Sequence, residues 1–256
     1  MKKIVLTGAS SGIGRALAIE LGRRGAELVI AARRKSELES LAQEIAAVGG
    51  TAHVLVLDVA NVAAVKDGLR EADRMVGGFD TVIANAGVGI NDPEDAFNWD
   101  DVERMLDVNV RGAFATLVHS IPYLRARGGG QLSAVTSLAG RRGLPASGAY
   151  SASKAAVSVF LETLRVDLLA ENIRVTDIQP GFVDTPMTQR NRFKMPFIWS
   201  AEKAASYISD ELEGAPGVIA FPLPLDMVTS AVSMLPNVIY DPLAKLMLDR
   251  NKHKQE

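Results

Sequence analysis

The hydrophobic and polar positions divide residues 1–181 into short apolar runs that alternate with longer stretches of helical period. The runs are rich in Val, Ile, Leu and Ala at nearly every position, which is typical of parallel strands covered by helices on both faces. Predicted strands are KIVL, ELVIAA, AHVLVLDV, FDTVIANAG, GQLSAVTS and IRVTDIQPG, and predicted helices lie near residues 13–24, 36–48, 62–75, 100–127 and 150–170. This alternation predicts an α/β fold, doubly wound, with a mostly parallel sheet flanked by helices on both faces.

The pattern changes after Gly181. An irregular stretch runs to about Trp199, a helix is predicted near residues 201–212, and the run GVIAF predicts a last strand. The remainder has the pattern of proline-punctuated apolar helices that end in a charged tail. Because no linker or repeat interrupts the chain before residue 180, we expect residues 1–256 to form a single domain, with 218–250 as an apolar C-terminal extension.

Composition narrows the classes of protein. Of 256 residues, 48% are hydrophobic and 23% charged, a globular balance, and the formal net charge of -2 supplies no basic field for nucleic acid. The absence of cysteine excludes disulfides and thiolate chemistry. The apolar run after the two N-terminal lysines is too short for a signal peptide, and no run is long enough for a membrane-spanning helix, so we expect a cytoplasmic protein.

A glycine-rich loop, TGASSGIG, directly follows the first predicted strand and opens the first helix with Gly8, Gly12 and Gly14. Glycine permits a tight turn and close backbone approach, while the free amides and the positive end of the helix attract a pyrophosphate. One glycine pair could simply be a structural turn. Three glycines at the start of a β-α-β alternation favour a dinucleotide site in a Rossmann fold.

The end of the second strand bears on which dinucleotide binds. An acid at this position would bind a ribose 2′-hydroxyl, but the chain has Ala32, followed by Arg33 and Arg34. A guanidinium can bind a 2′-phosphate bidentately, so NADP(H) is preferred and NAD(H) is the alternative cofactor. Taken alone, the two arginines could be solvated loop charges.

In these and further motifs the chain resembles the short-chain dehydrogenase/reductases in their compact single-domain form. The resemblance rests on the order and spacing of TGASSGIG, LDV, ANAG, DVNVRG, TSLAG, YSASK and PGFVDT, which together extend from Thr7 to Thr185. It implies a single dinucleotide-binding and catalytic domain whose cofactor-binding residues are Gly8, Ser10, Ser11, Gly12, Ile13, Gly14, Arg33, Arg34, Asp58, Val59, Asn85, Ala86, Gly87, Tyr150, Lys154, Pro180, Gly181, Val183 and Thr185.

The resemblance also implies a catalytic set of Asn109, Ser137, Tyr150 and Lys154. In a helix, Tyr150 and Lys154 lie one turn apart on the same face. A phenol is a usable proton donor, and a nearby ammonium and the positive nicotinamide of the oxidised cofactor should lower the pKa of Tyr150 by favouring phenolate. Ser137 would hydrogen-bond the substrate oxygen, and Asn109 is expected by resemblance to hold a water beside Lys154. Singly, each residue could instead be a surface or structural side chain.

Substrate identity should depend on residues 184–215, where family members carry a substrate lid. Six apolar side chains here could cover the nicotinamide and favour a hydrophobic carbonyl or alcohol, or they could equally pack against the C-terminal helices. They are Met187, Phe193, Met195, Phe197, Ile198 and Trp199. The apolar extension could complete the pocket, form a subunit contact or touch a membrane surface. No metal site is expected, because His53, His119 and His253 form no ligand pattern.

These observations predict an NADP(H)-dependent oxidoreductase that transfers hydride between nicotinamide and a carbonyl or secondary alcohol. Two alternatives stay open at this stage. One is an epimerase or dehydratase on the same scaffold, and the other is a non-catalytic NADP(H)-binding regulatory protein. The family usually pairs the helix of Tyr150 and its predecessor across a dimer axis, so the resemblance implies a homodimer or homotetramer with a small-molecule substrate.

Overall fold

Parallel strands form a single twisted layer in the computed structural model, which describes residues 3–89, 98–191 and 194–252. Within these residues the sheet has seven strands in the order β3-β2-β1-β4-β5-β6-β7. They are β1 (Lys3–Thr7), β2 (Glu27–Ala32), β3 (Thr51–Val56), β4 (Thr81–Ala84), β5 (Gly130–Val135), β6 (Ile173–Pro180) and β7 (Val218–Phe221). The order reverses between β1 and β4, which opens a crevice at the carboxyl ends of these strands. The predicted α/β fold is confirmed, and every pairing is parallel.

Helices cover both faces of the sheet because neighbouring strand residues point to opposite sides. Val5 belongs to the core under α3, α5 and α6, whereas Ile4 and Leu6 belong to the core under α1, α2 and α7. The helices are α1 (Gly12–Arg23), α2 (Lys35–Ala47), α3 (Val62–Val76), α4 (Trp99–Met105), α5 (Ala113–Ala126), α6 (Gly148–Asp167), α7 (Ala201–Gly214), α8 (Leu223–Ser233) and α9 (Asn237–Lys252).

The stretch 100–127, predicted as one α-helix, is interrupted. A π-helical segment, Leu106–Gly112, separates α4 from α5. The side chain of Asn98 starts α4 by accepting hydrogen bonds from the amides of Asp100 and Asp101, at 2.9 and 3.3 Å. Segments with π-helical turns often occur at functional sites, and this one holds Asn109 beneath the crevice.

The apolar C-terminal extension begins with β7, the predicted last strand, whose Phe221 is fully buried. Helices α8 and α9 follow, and several of their apolar side chains face solvent, including Met227, Val228 and Val238. Arg142 ties these helices to the rest of the fold, because its guanidinium donates to the carbonyls of Ser233 and Leu235. The two helices therefore pack on the segment that follows β5, with an apolar outer surface.

Candidate active site

A cleft of about 280 Å³ opens at the carboxyl ends of the strands, beside the switch between β1 and β4. It brings together the glycine loop, the end of β2, the loops after β3 and β4, and residues of β5, α6 and the segment after β6. Every cofactor-binding residue that the sequence predicted lines this cleft: Gly8, Ser10, Ser11, Gly12, Ile13, Gly14, Arg33, Arg34, Asp58, Val59, Asn85, Ala86, Gly87, Tyr150, Lys154, Pro180, Gly181, Val183 and Thr185.

The glycine loop passes so close to neighbouring backbone that side chains do not fit. A Cβ on Gly8, whose φ is +67°, would lie 2.6 Å from the Cα of Ala86. A Cβ on Gly14 would lie 2.4 Å from both the carbonyl oxygen of Gly8 and the Nδ2 of Asn85. These distances are well inside van der Waals contact, so the spacing of the glycines is a packing requirement of the turn.

Asn85 holds this loop from the β4 side. Its Nδ2 donates to the carbonyls of Thr7 and Gly8 at 3.0 and 3.1 Å, and its backbone amide donates to the hydroxyl of Thr7 at 3.1 Å. Ala86 donates to the same hydroxyl at 3.2 Å. The side-chain amide of Asn85 therefore braces the glycine turn from within the cleft wall.

The start of α1 is suited to an anion. Ser11 is the N-cap residue, and within the described part of the chain its side chain makes no capping hydrogen bond to the first-turn amides. Gly12, with φ of +56°, keeps this end of the helix without a side chain where it lines the cleft. Unpaired amides at a helix N-terminus carry partial positive charge, so the residues present fit the pyrophosphate of a dinucleotide.

Two guanidinium groups flank the adenosine end of this cleft. Arg34 donates to the carbonyl and hydroxyl oxygens of Ser10 at 3.4 and 3.1 Å, while Arg33 forms no ion pair within residues 3–89, 98–191 and 194–252. Both side chains are exposed, and Ala32 beside them is buried. On the opposite wall, the carboxylate of Asp58 accepts from the amide of Ala60 at 3.1 Å.

The other end of the cleft holds Ser137, Tyr150 and Lys154. Ser137 follows β5 and is buried, and its Oγ accepts from the amide of Ala139 at 3.1 Å. Tyr150, in the first turn of α6, is half-buried, and Lys154 is only 6% exposed. The Nζ of Lys154 donates to the carbonyl of Val135 at 2.9 Å and lies 5.8 Å from the centre of the Tyr150 ring. An exposed helix pair is therefore excluded.

Burial dominates the electrostatics of this pair. Burial raises the pKa of Tyr150, and the hydrogen bond with Ser137 opposes that rise. The lowering expected from Lys154 together with an oxidised nicotinamide stays a prediction for the complex with cofactor. Burial also lowers the pKa of Lys154 to about 8, opposed by the negative charge of Asp177. The prediction considered only charges close to the phenol, and the larger effect is desolvation of its ionised form.

Asn109 lies behind the cleft wall, in the π-helical segment, and is 1% exposed. Its Oδ1 accepts from the amide of Val88, and its Nδ2 donates to the carbonyl of Val88 and to Ser153, at 2.8 to 3.0 Å. A Cβ on Gly87 would lie 3.5 Å from this Oδ1 and 3.3 Å from the Nζ of Lys154. Asn109 therefore joins the loop after β4 to Ser153 of α6, the residue that precedes Lys154.

The cleft also has lining residues that sequence reasoning missed. Thr136 and Thr188 are the most informative of them. Thr136 is buried beside Ser137, and Thr188 donates to the carbonyl of Val183 at 2.6 Å, which fixes the segment that leads from β6 to Thr185. Hydroxyls next to recognised motifs were the available signal for both residues. The remaining ones are Leu57, Val88, Val108, Val135 and Pro186.

Residues 184–215, the predicted lid, divide into two parts. Helix α7 packs into the core on α1 through Ala204, Ile208 and Leu212, all fully buried. Trp199 stacks on Phe221 of β7 with a centroid distance of 5.0 Å, so it packs on the sheet rather than against the C-terminal helices. Of the six apolar side chains proposed as a cover, Met187 lines the cleft, Phe197 and Ile198 are exposed, and Phe193 lies outside the described residues.

The described residues contain no group of three or more His, Cys, Asp or Glu side chains that could hold a metal ion, and His253 lies beyond them. None of the helices described is both long enough and apolar enough to span a membrane.

A dinucleotide cleft on a doubly wound sheet, with a serine, a tyrosine and a lysine at its far end, defines a class of nucleotide-dependent oxidoreductase. The sequence model of the short chain dehydrogenase family matches residues 2–195. The chain belongs to this family and is an oxidoreductase. Hydride transfer that depends on NAD(P) is general for the family.

Individual relatives agree with this assignment. An "uncharacterized oxidoreductase" of Myxococcus xanthus is 42% identical over 241 residues, which cover 94% of this chain and 95% of the relative. An alcohol dehydrogenase from Thermococcus sibiricus, solved with 5-hydroxy-NADP, is 28% identical with a TM-score of 0.77, covering 86% of this chain and 95% of that one. A 3-ketoacyl-ACP reductase from Sinorhizobium meliloti is 29% identical with a TM-score of 0.77, covering 88% and 99%.

Proposed function

We propose that this protein is an NADP(H)-dependent oxidoreductase that transfers hydride between nicotinamide and a carbonyl or secondary alcohol, with Tyr150 as the acid or base. The observation that carries the proposal is that one cleft contains both the glycine loop and Ser137, Tyr150 and Lys154. The cofactor would supply or accept the hydride. The side chains at the far end of the cleft have the remaining task of moving a proton and stabilising charge on the substrate oxygen.

Each side chain has a role that follows from its chemistry. The phenol of Tyr150 donates a proton to the oxygen of a carbonyl that is being reduced, and its burial keeps the phenol protonated at neutral pH. Ser137 donates a hydrogen bond to the same oxygen and stabilises its developing negative charge. The ammonium of Lys154 favours the phenolate left on Tyr150 and can hold ribose hydroxyls as a charged donor. Asn109 fixes the α6 turn that presents these groups.

The preference for NADP(H) rests on the adenosine end of the cleft. Arg33 and Arg34 line it, and the buried Ala32 stands where an acid would bind a ribose 2′-hydroxyl. Two guanidinium groups can pair with a 2′-phosphate, which a carboxylate there would repel. The relative from Thermococcus sibiricus was solved with an NADP derivative, which agrees with this preference.

The direct experiment is a spectrophotometric screen of NADPH and NADH oxidation against a panel of carbonyl compounds. Tyr150→Phe should reduce turnover at least a hundredfold, because it removes the proton donor, while NADPH binding persists. Tyr123→Phe is the matched control, since it removes a phenol hydroxyl from a tyrosine of α5 that packs on Phe79 and should leave activity intact. Substantial turnover by pure Tyr150→Phe would refute the role of Tyr150.

The same screen separates the alternatives left open by the sequence. Stoichiometric consumption of the cofactor identifies a reductase, whereas an epimerase or dehydratase would turn over substrate without net oxidation of NADPH. A regulatory protein would bind NADPH and convert no compound. Arg33→Asp should move the ratio of NADPH to NADH affinity toward NADH by tenfold or more. Arg174→Asp, a matched charge change at the start of β6, should leave that ratio unchanged.

A further inference from the structure

A carboxylate lies buried next to the reaction end of the cleft, and the proposed mechanism does not use it. Asp177 is the fifth residue of β6 and is 2% exposed. It pairs in register with Ala134 of β5, and its neighbours at alternate positions, Ile173 and Val175, belong to the core under α6. Asp177 therefore lies on the face of the sheet that carries the helix of Lys154.

Neutral donors hold both oxygens of this carboxylate. The hydroxyl of Thr136 donates to Oδ1 of Asp177 at 2.5 Å, and Nε2 of Gln179 donates to Oδ2 at 2.7 Å. An ionised carboxylate is an acceptor only, so both contacts match the charged form. Thr136 is 1% exposed and Gln179 is 8% exposed, so the group is shielded from water.

The nearest guanidinium is separated from Asp177 by one amide. Oε1 of Gln179 accepts from Nε and Nη2 of Arg141 at 2.8 and 2.6 Å. The Nη1 of Arg141 forms an ion pair with Asp226 of α8 at 2.5 Å. Arg141 is thus already neutralised by Asp226, and Asp177 forms no direct ion pair within residues 3–89, 98–191 and 194–252.

Within the described part of the chain, Lys154 is a buried cation that forms no ion pair with a carboxylate. Its Nζ donates to the carbonyl of Val135, whose neighbour Thr136 holds Asp177 from the same strand end. The titratable or charged groups around Lys154 are Tyr150 on its own helix and Asp177 on β6. Among the described residues, Asp177 is the carboxylate whose charge raises the pKa of Lys154 against the effect of burial.

We propose that Asp177, fixed by Thr136 and Gln179, is a positioning residue whose negative charge keeps the buried ammonium of Lys154 protonated beside Tyr150. The proposal rests on the proposed function, because it assigns a task to Asp177 in the same reaction. Lys154 favours phenolate on Tyr150 only while it is charged, and burial by itself would remove that charge near neutral pH. The carboxylate on β6 widens the pH range over which the pair works.

The test is Asp177→Asn, which keeps the size of the side chain and one acceptor oxygen, replaces the other oxygen with a donating amide, and removes the charge. Removing a negative charge disfavours the ammonium, so the pKa of Lys154 should fall from about 8 by about one unit. The change can be followed without cofactor by NMR on protein labelled with ¹³C at lysine Cε. The Lys154 signal is identified by its loss in Lys154→Met.

A second measurement uses NADPH itself. If Lys154 holds ribose hydroxyls as an ammonium, NADPH affinity should decline as Lys154 loses its proton, and the midpoint should move to lower pH in Asp177→Asn by the same amount as the NMR titration. At pH 8 a shift of one unit reduces the charged fraction about fivefold. The alkaline limb of the kcat profile should move in parallel.

Asp167→Asn is the matched control, because Asp167 is an exposed carboxylate at the end of α6 and its loss should leave the titration of Lys154 unchanged. Asp177→Ser, which offers Thr136 a hydroxyl, repeats the test if the asparagine variant does not fold. An unchanged pKa of Lys154 in folded Asp177→Asn, or an equal shift in Asp167→Asn, would overturn the proposal. The NMR titration needs neither cofactor nor turnover, so it stands even if the activity screen detects no reaction.

Discussion

The buried ammonium of Lys154 should make the protein less stable at neutral pH, and Lys154→Met should therefore stabilise it. Burial lowers the pKa of Lys154 from 10.5 to about 8. At about 1.4 kcal/mol per unit, keeping the group charged in the folded state costs about 3 kcal/mol at pH 7. Methionine fills a similar volume without charge, but it leaves the carbonyl of Val135 without its donor, a loss of about 1 kcal/mol. The expected gain is about 2 kcal/mol.

The sign of the pH dependence follows from the two pKa values. Below pH 8 both the folded and unfolded states hold the proton, so the cost is present in full. Between pH 8 and 10.5 the unfolded state binds more protons than the folded state, so the stability of the native protein rises with pH. At pH 10 the cost of the charged Lys154 should fall to about 1 kcal/mol, which equals the hydrogen bond to Val135 that Lys154→Met loses. Lys154→Met should therefore be more stable at pH 7 and about equal to the native protein at pH 10.

Urea denaturation of both proteins at pH 7, 8, 9 and 10 measures this difference. Lys66→Met, an exposed position on α3, is the matched control and should change the free energy of unfolding by less than about 0.5 kcal/mol at every pH. The reasoning is refuted if Lys154→Met is clearly less stable than the native protein at pH 7, or if its advantage does not shrink as pH rises. The variant should also have lost turnover, so stability and activity would change in opposite directions.

Three further predictions concern the frame of the site. Gly14→Ala should lower the free energy of unfolding by about 1–3 kcal/mol in urea denaturation and weaken NADPH binding in a fluorescence titration, because the new Cβ overlaps Asn85. Gly214→Ala, which has open space around it, should change neither quantity. Phe79→Ala should cost about 3–5 kcal/mol in urea denaturation, because Phe79 is fully buried, and a cost below 1 kcal/mol would contradict its place in the core. Arg142→Ala should make α8 and α9 sensitive to limited proteolysis while the sheet stays intact; equal cleavage rates would argue against this contact.

The sheet was predictable because its signal is local. Strands such as β2 are apolar at every position but the first, and the helices between them repeat apolar residues at a period close to the α-helix. The π-helical segment was not predicted, because it has no such local signal. One extra residue per turn leaves composition unchanged and alters only the register, so the surroundings of Asn109 depend on contacts with Val88 and Ser153 that are distant in sequence.

The site also has features that motifs predict and features that only packing determines. Residues in recognisable motifs, from Gly8 to Thr185, could be placed because the order of parallel strands brings their ends to one edge of the sheet. Burial could not be derived from the motifs, and this is why the upward effect of desolvation on the pKa of Tyr150 was not predicted. The role of Asp177 was not predicted from its place in a strand, because the role of a buried carboxylate depends on the residues packed around it.

The contacts of Arg141 and Arg142 have a consequence for how the protein is made. Both arginines lie between Ser137 and Tyr150, yet their partners include Asp226 and Leu235, which leave the ribosome 85 and 93 residues later. The strands that bear the cleft can pair before that, and Arg141 can then reach Gln179, but Arg142 lacks its partners until α8 and the start of α9 have emerged. A chain interrupted after β7 would present the cleft with its reaction end supported from β6 alone.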